Sequence, residues 1–289
     1  MKLYDCFVFH KEFDILEIRL REMSKYVDHF VLVEANKTQR GDAKPYYFAQ
    51  NRDRFSAWSD KIVDLQIEFP DELPPALGLY KQRKGWEREN YQRNCIARAL
   101  DGCKPDDLIL LSDVDEIIRA PVLERVLGDT AYKDRLLVFE QSLHKHMLNR
   151  IVPNKNWLLG SRMIEKKYLT TPQQLRRTKA RMTKKAYIPA ALKQAALRIR
   201  NHNLSGISRP VDIVPNGGWH FSSMGGLEAF ESKLDSVVHG RTVDYSDIQK
   251  LYERELTGTS IVPVEQLPEC VTEGLFDHML DLENPRQST

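Results

Sequence analysis

The chain has 289 residues, of which 42% are hydrophobic, so it can bury one large core or two small ones. Lysine and arginine number 43 against 41 aspartate and glutamate, a balance that gives no chain-wide reason to expect nucleic-acid binding. The N-terminus meets charged residues too early for a signal peptide, and no run approaches the ~18 apolar residues of a membrane span. We therefore expect a cytoplasmic protein with a single domain over residues 1–283 and a flexible tail over residues 284–289.

Short apolar runs alternate with segments of helical period in the first part of the chain. The apolar runs predict four strands, at residues 4–8, 30–34, 62–66 and 108–112. Helices are predicted around Leu16, Leu20 and Met23 and over residues 86–100, and residues 69–78 are predicted to form a loop. Such alternation indicates an α/β fold with a largely parallel sheet, in which ligands bind at the carboxyl ends of the strands.

The second half of the sequence is less regular. Residues 136–139 predict one more strand, and few elements can be placed between it and Gly226. Beyond Gly226, the spacing of Leu227, Phe230 and Leu234 predicts an amphipathic helix, and residues 248–252 indicate another.

One segment of the chain is strongly biased in charge. Residues 162–200 contain twelve Lys or Arg residues and one acid, Glu165. Two interpretations stay open: a solvated helix face, or a surface for anions such as a diphosphate, a phosphorylated acceptor or an acidic membrane. The segment is therefore the candidate for peripheral contact with a membrane.

The fourth predicted strand runs directly into three carboxylates, Asp113, Asp115 and Glu116. Asp113 and Asp115 point to the same side of an extended chain, so both can reach one hard cation such as Mn²⁺ or Mg²⁺. A cation at this position would bridge a diphosphate. The alternative is an acidic loop that caps the next helix, because Asp and Glu favour helix N-termini.

A second motif, residues 216–222, places two glycines before Trp219 and His220. The glycines would let the backbone approach a ligand, His220 offers a nitrogen ligand, and Trp219 could stack on a sugar face. For this motif alone, a glycine turn with a core tryptophan and a hydrogen-bonded histidine is the favoured alternative.

Taken together in chain order, these motifs resemble glycosyltransferase family 17. The resemblance covers most of the chain apart from residues 140–205, and several spaced motifs are more specific than any one of them. The matching residues are Phe9, Glu12, Phe13, Asp14, Leu16 and Arg19; Val27, Asp28, Phe30 and Val31; Glu34, Asn36, Thr38, Gly41, Lys44, Pro45 and Phe48; Trp86, Tyr91 and Arg93; residues 107–117; and Gly218, Trp219, His220, Ser222, Phe230, Lys233 and Leu234.

The resemblance implies a GT-A type fold, with a Rossmann-like, mixed and mainly parallel sheet flanked by helices. It implies a nucleotide-sugar half over residues 1–135 and an acceptor half with C-terminal helices over residues 136–283. It further implies a divalent metal, UDP-GlcNAc or a related UDP-sugar as donor, a glycan or glycolipid acceptor, and inversion to a β-linkage. By matching position, the metal ligands would be Asp113, Asp115 and His220. The candidate substrate-binding residues are His10, Glu12, Glu34, Lys44, Trp86, Arg93 and Trp219.

Inversion requires one base to take the proton of the acceptor hydroxyl. Glu116 is the first candidate because it adjoins the metal motif, and Glu12, Glu34 and Glu165 are the alternatives. Each also has an ordinary explanation: Glu116 could cap a helix, for example, and Glu34 could pair with Lys44.

Two other functional classes remain open. A nucleotidyltransferase or a phosphatase could also use an apolar strand that ends in Asp-x-Asp, although a phosphatase would need its aspartates after the first strand. A non-catalytic sugar- or anion-binding protein would use Trp86, Trp219 and the basic segment, but it leaves the carboxylate cluster without a role.

Overall fold

The computed structural model describes residues 1–74, 86–182, 189–236 and 247–281. The strands within these residues are β1 Leu3–Phe9, β2 His29–Ala35, β3 Ile62–Ile67, β4 Leu108–Asp113, β5 Glu116–Ile118, β6 Leu136–Lys145, β7 Arg150–Trp157, β8 Arg162–Glu165, β9 Val211–Ser222 and β10 Ser260–Ile261. The α-helices are α1 Phe13–Met23, α2 Tyr47–Gln50, α3 Glu87–Cys95, α4 Ala120–Gly128, α5 Pro172–Arg177, α6 Ala190–Ser205, α7 Gly226–Ser236, α8 Ile248–Thr257 and α9 Glu269–Thr272.

These strands form one mixed sheet. Its N-terminal half is parallel throughout, in the order β3-β2-β1-β4. Beyond β4 the sheet continues through β8, β6, β7 and β10 with antiparallel pairing, while β9 runs parallel to β6 and antiparallel to β5. The predicted fold class is confirmed: an α/β, GT-A type mixed and mainly parallel sheet flanked by helices.

The sheet order places the ends of β1 and β4 side by side. β1 pairs with β2 on one side and with β4 on the other, so the strand order reverses at β1. Val8 lies opposite Asp113 in the β1–β4 pair, and both strands end within one residue of this point. Ligands of open α/β sheets bind in the crevice outside the carboxyl ends at such a reversal.

Apolar cores cover both faces of the sheet, and successive residues of one strand point into different cores. In β2, Phe30 and Leu32 face the core that contains α1, whereas Val31 and Val33 face the core that contains the turn after α3. All four side chains are fully buried, and each contributes roughly 1.5–3 kcal/mol by the usual area relation. Burial on both faces explains why the parallel strands are continuously apolar.

The predicted elements of the first half are confirmed, with α3 ending at Cys95 and continuing as a 3₁₀ turn to Leu100. α7 and α8 match the two helices predicted beyond Gly226. The middle of the chain, where the sequence allowed few elements to be placed, contains β7, β8, α5, α6 and β9. The predicted loop is described only as far as residue 74, and the predicted tail lies outside the described residues. Among the helices that the structure describes, none combines the length and apolarity that crossing a membrane requires.

Candidate active site

A cavity of about 550 Å³ opens where β1 and β4 end, and we call it the first cavity. It brings together most of the site residues predicted from sequence: His10, Glu12, Lys44, Trp86, Arg93, Asp113, Asp115 and His220. The lining residues that were not predicted are Val8, Phe9, Lys37, Thr38, Gln39, Glu89, Gln92, Val114, Trp157, Leu159, Gln173 and Arg176.

A buried arginine fixes the turn between β4 and β5. Arg19 is fully buried and forms an ion pair with Asp5, which is also buried. Its Nη1 donates to the carbonyl oxygens of Asp113, Val114 and Glu116 at 3.1, 3.2 and 2.9 Å. Because a guanidinium keeps its charge and offers five donors, one side chain can hold three carbonyls of the turn in place.

Glu116 lies fully buried behind this turn. Its Oε1 accepts hydrogen bonds from Trp157 Nε1 at 2.8 Å and Arg176 at 2.9 Å, and its Oε2 accepts from Arg176 at 2.6 Å and the Asp113 N–H at 2.9 Å. A carboxylate with both oxygens bonded and no exposed surface cannot reach an acceptor hydroxyl. The geometry therefore argues against Glu116 as the base and makes it an anchor for Arg176 and the turn.

Asp113 is held by two guanidinium groups. Its Oδ1 accepts from Arg93 at 2.9 Å and its Oδ2 from Arg176 at 2.6 Å. Burial acts to raise the pKa of Asp113, but Arg176 and Arg93 outweigh it and hold that pKa below its usual value. Although burial opposes the charged form of both arginines, the nearby carboxylates raise the pKa of Arg93 and of Arg176. The Asp113 carboxylate is thus already neutralised by protein groups.

Asp115 and His220 lie together on the cavity wall. His220 Nε2 is 3.7 Å from Asp115 Oδ2, beyond hydrogen-bond distance. The His220 ring lies against Trp157, with 4.5 Å between ring centroids, and its Nδ1 is buried without a hydrogen-bond partner among the described residues. Metal–nitrogen and metal–oxygen bonds are about 2.0–2.2 Å long, so one cation could contact both side chains.

These two side chains would not complete a metal shell by themselves. Within the described residues, no group of three or more His, Cys, Asp or Glu side chains is arranged to hold a metal ion. A cation at Asp115 and His220 would therefore take its remaining ligands from a substrate or from water. Hard divalent cations such as Mg²⁺ commonly bind in this way, through one or two carboxylates and substrate phosphates.

Glu34 supports the loop after β2 and does not line the cavity. Its Oε1 accepts from Lys44 Nζ at 2.9 Å and the Tyr47 N–H at 2.7 Å, and its Oε2 accepts from the Phe48 N–H at 2.9 Å. Burial raises the pKa of Glu34, although Lys44 and the two N–H groups oppose the shift. Lys44 therefore lines the first cavity, and Glu34 holds the Lys44 side chain in place.

Trp219 is a core residue. It is 2% exposed, stacks on Phe221, lies 3.9 Å from the Arg119 guanidinium and donates its Nε1–H to the Gln266 carbonyl at 2.9 Å. The prediction that Trp219 binds substrate is therefore wrong. The tryptophans that line the cavity are Trp86 and Trp157.

The glycines before Trp219 serve strand packing. A Cβ atom on Gly218 would lie 2.0 Å from the Ile117 carbonyl oxygen, so only glycine allows β9 to pair this closely with β5. This pairing sets Glu116 opposite His220 and carries the histidine to the cavity wall. The glycines therefore approach another strand and not a ligand.

The basic segment over residues 162–200 does not form one surface. Arg162 is buried and donates to backbone carbonyls such as that of Gly160, whereas Arg176 lies in the first cavity. Lys167 pairs with Glu165, which is 6% exposed and lines a different cavity, so this acid is not placed to act as the base. Neither interpretation therefore describes the segment as a whole.

The sequence model of glycosyltransferase family 17 matches residues 1–147, which is half of the chain. The chain belongs to glycosyltransferase family 17. Within the chain, the region matched by the family contains the cavity residues from His10 to Asp115. Trp157, Arg176 and His220, which complete the cavity, lie beyond it.

Curated relatives of this family 17 chain include the β-1,4-mannosyl-glycoprotein 4-β-N-acetylglucosaminyltransferases of Homo sapiens and Rattus norvegicus. Each is 30% identical over 112 residues, which is 37% of this chain and 20% of the relative. The match thus spans one fifth of the relatives' length.

Two solved structures show weak similarity to the fold. 4-Diphosphocytidyl-2C-methyl-D-erythritol synthase from Anaerococcus prevotii has a TM-score of 0.38 at 10% identity, covering 74% of this chain and 88% of that one. The 2-C-methyl-D-erythritol 4-phosphate cytidylyltransferase of Francisella tularensis has a TM-score of 0.30 at 12% identity, covering 74% and 90%.

Proposed function

We propose that this family 17 chain is an inverting, metal-dependent glycosyltransferase that moves a sugar from a UDP-sugar, UDP-GlcNAc or a close relative, onto a glycan or glycolipid hydroxyl. The observation that carries the proposal is one cavity, at the ends of β1 and β4, that joins Asp115 and His220 to the guanidinium groups of Arg93 and Arg176. A bound cation and fixed guanidinium groups both stabilise the negative charge of a diphosphate.

We assign the divalent cation, Mn²⁺ or Mg²⁺, to Asp115 and His220. The 3.7 Å separation between Asp115 Oδ2 and His220 Nε2 supports this assignment. Asp113 then has a different role, because Arg93 and Arg176 already occupy both of its oxygens. When bound, the cation would supply positive charge against the diphosphate leaving group.

The arginines are positioned before any donor binds. Arg93 is held by Glu89 and Asp113, and Arg176 by Asp113 and Glu116. Cations fixed in advance stabilise charge that develops on a leaving group without reorganising during the reaction. Trp86 and Trp157 add aromatic faces to the same cavity, against which a nucleobase or a sugar could pack.

The test is a panel of UDP-, GDP- and CMP-sugars incubated with the purified chain and Mn²⁺, Mg²⁺ or EDTA, with products detected by mass. We expect metal-dependent consumption of UDP-GlcNAc or a related UDP-sugar, stopped by EDTA and by Asp115→Ala in a protein that remains folded. Every donor left intact with metal, and none bound in calorimetry, would contradict the proposal. Pyrophosphate release from a nucleoside triphosphate and a sugar phosphate would instead indicate a nucleotidyltransferase.

A further inference from the structure

A second cavity of about 570 Å³ adjoins the first and shares His10, Glu12 and Asp115 with it. It lies between the start of α1, the turn that follows β9 and the first turns of α7. Two cavities that meet at one short row of residues suit a reaction between two substrates, because the reacting atoms must come within about 3–3.5 Å of each other.

The two cavities differ in their positive charge. Four carboxylates line each one: Glu12 and Asp115 in both, Glu89 and Asp113 in the first, and Asp14 and Glu228 in the second. The first also has Lys37, Lys44, Arg93 and Arg176, whereas Lys11 is the only lysine or arginine among the described residues that line the second. Even with Asp14 paired to Arg54 and Asp115 assigned to the metal, the two remaining carboxylates, Glu12 and Glu228, outnumber Lys11. A phosphorylated ligand is therefore disfavoured there.

The rest of the second cavity suits an uncharged sugar. Met147, Phe221, Met224 and Met279 provide apolar surface for the C–H face of a pyranose. Glu228 is exposed at its rim, where a carboxylate can accept hydrogen bonds from hydroxyl groups.

Glu12 stands at the junction of the two cavities with one oxygen available. Its Oε2 accepts from the backbone N–H groups of His10 and Lys11 at 3.2 and 3.0 Å. No hydrogen bond to its Oε1 is found among the described residues, in contrast to Glu116 and Glu34, whose two oxygens are both bonded. The backbone N–H groups hold the carboxylate in place while the second oxygen stays able to accept a proton.

We propose that the second cavity binds a neutral sugar acceptor and that Glu12 is the general base for its attacking hydroxyl. This inference rests on the proposed function, which supplies a nucleoside diphosphate sugar in the first cavity. The hydroxyl oxygen forms a bond to the anomeric carbon while the bond from that carbon to the diphosphate oxygen breaks. The bonding electron pair leaves with the diphosphate, and the hydroxyl proton moves to the Glu12 carboxylate.

The first test compares Glu12→Gln with the matched variant Glu231→Gln, which changes an exposed acid of α7 that lines neither cavity. The assay uses the full chain, Mn²⁺, UDP-GlcNAc and a panel of neutral methyl glycosides. We expect Glu12→Gln to lower kcat for transfer by about 10²–10⁴-fold and to remove the acidic limb of the pH profile, with donor Kd unchanged in calorimetry. Glu231→Gln should keep kcat within about threefold, since no proton transfer depends on it.

The second test addresses the charge and the location of the acceptor. Each neutral methyl glycoside is compared with its 6-phosphate, and the neutral form should have a kcat/KM higher by about 100-fold, as expected for an anion in a cavity where carboxylates outnumber lysine and arginine side chains. Ala229→Phe, on the wall of the second cavity, should raise the acceptor KM at least about tenfold and leave the donor Kd unchanged.

The outcomes separate the two levels of the argument. Transfer to phosphorylated glycosides in preference to neutral ones, no transfer to neutral glycosides despite normal donor cleavage, or a Glu12→Gln kcat close to that of the wild type would overturn the inference alone. Absence of donor cleavage and donor binding in the wild type would overturn the proposed function, and the inference with it.

Discussion

The two cavities meet at Asp115 and contain equal numbers of carboxylates, yet lysine and arginine side chains are concentrated in the first. Arg93 is fixed there by Glu89 and Asp113, which line the cavity, and Arg176 by Asp113 and by the buried Glu116. Lys11 in the second cavity is bonded to Ser232. The difference suggests how one edge of a sheet can keep an anionic donor and a neutral acceptor apart. In our proposal, positive charge directs the donor to the first cavity, and the two substrates meet at His10, Glu12 and Asp115, which line both cavities.

Asp113 and Asp115 also differ in the cationic or basic side chains that they face. Asp113 faces two guanidiniums, whereas Asp115 faces the imidazole of His220. Two carboxylates that are equivalent in the motif thus acquire different roles, because the β4–β5 turn directs one toward α3 and α5 and the other toward β9.

The largest effect should come from a change at Arg19, which holds the β4–β5 turn that carries Asp115 to both cavities. Arg19→Met leaves Asp5 buried without its partner and three turn carbonyls without their donor, so we expect the free energy of unfolding to fall by about 3–5 kcal/mol. Urea unfolding at neutral pH measures this loss of free energy. Arg21→Met, which removes a surface pair with Glu17, should cost about 1 kcal/mol or less. If Arg19→Met lowered the free energy of unfolding by less than about 1 kcal/mol, the β4–β5 turn would not depend on the hydrogen bonds from Arg19.

A change at Arg176 should separate the two cavities. Arg176→Gln removes a cation from the first cavity only, so we expect kcat/KM for the donor to fall by about 10²–10³-fold while the acceptor KM is unchanged. The control is Arg181→Gln, because Arg181 has a 63% exposed side chain and makes only a 3.3 Å pair with Glu140. If Arg176→Gln changed the donor kcat/KM and the acceptor KM by the same factor, the assignment of the donor to the first cavity and the acceptor to the second would be contradicted.

Acidification should lower the free energy of unfolding by protonating Asp113 in the first cavity. The arginines hold its folded pKa below the unfolded value of about 3.9, so its ionised form contributes stability that is present above that pH and lost as pH falls through the folded pKa. The stability difference between wild type and Asp113→Asn should therefore be constant from about pH 5 to 8 and shrink below about pH 4. A difference that grew on acidification would show that the arginines do not favour the ionised form.

The smallest effect is expected from the outer face of α6, a helix with no residue among those that line the two cavities. Lys193 and Arg198 are exposed there beside Leu192 and Ile199, which are 58% and 63% exposed. The predicted membrane contact remains a proposal for this face. Lys193→Glu with Arg198→Glu should leave transfer between soluble substrates within about twofold and reduce sedimentation with vesicles rich in phosphatidylserine. Unchanged vesicle binding would remove α6 from that role.

The parallel half of the fold could be predicted because its strands are buried on both faces and therefore continuously apolar. β7 could not, since its residues 153–156 are exposed and polar and its sequence has no apolar period. The strand order then brings His10, Asp113 and Asp115 together, which makes that part of the site predictable once the sheet is recognised.

The rest of the site depends on contacts that sequence does not display. Arg176 stands in a run of basic residues on α5, and only the packing of that helix identifies it as the arginine that reaches Asp113 and Glu116. Glu116 and Asp115 are adjacent carboxylates, yet one is buried behind the turn and the other lines both cavities. Trp157 and Trp219 are likewise distinguished only by burial.

The most direct test of the central claim, a cation held by Asp115 and His220, is a Mn²⁺ titration in the presence of UDP, followed by the electron paramagnetic resonance signal of free Mn²⁺. We expect Asp115→Asn and His220→Ala each to weaken Mn²⁺ binding by about 100-fold or more, and Asp113→Asn, which changes a neighbour of the ligands, by no more than about tenfold. The contrary result would be full Mn²⁺ affinity in Asp115→Asn together with its loss in Asp113→Asn.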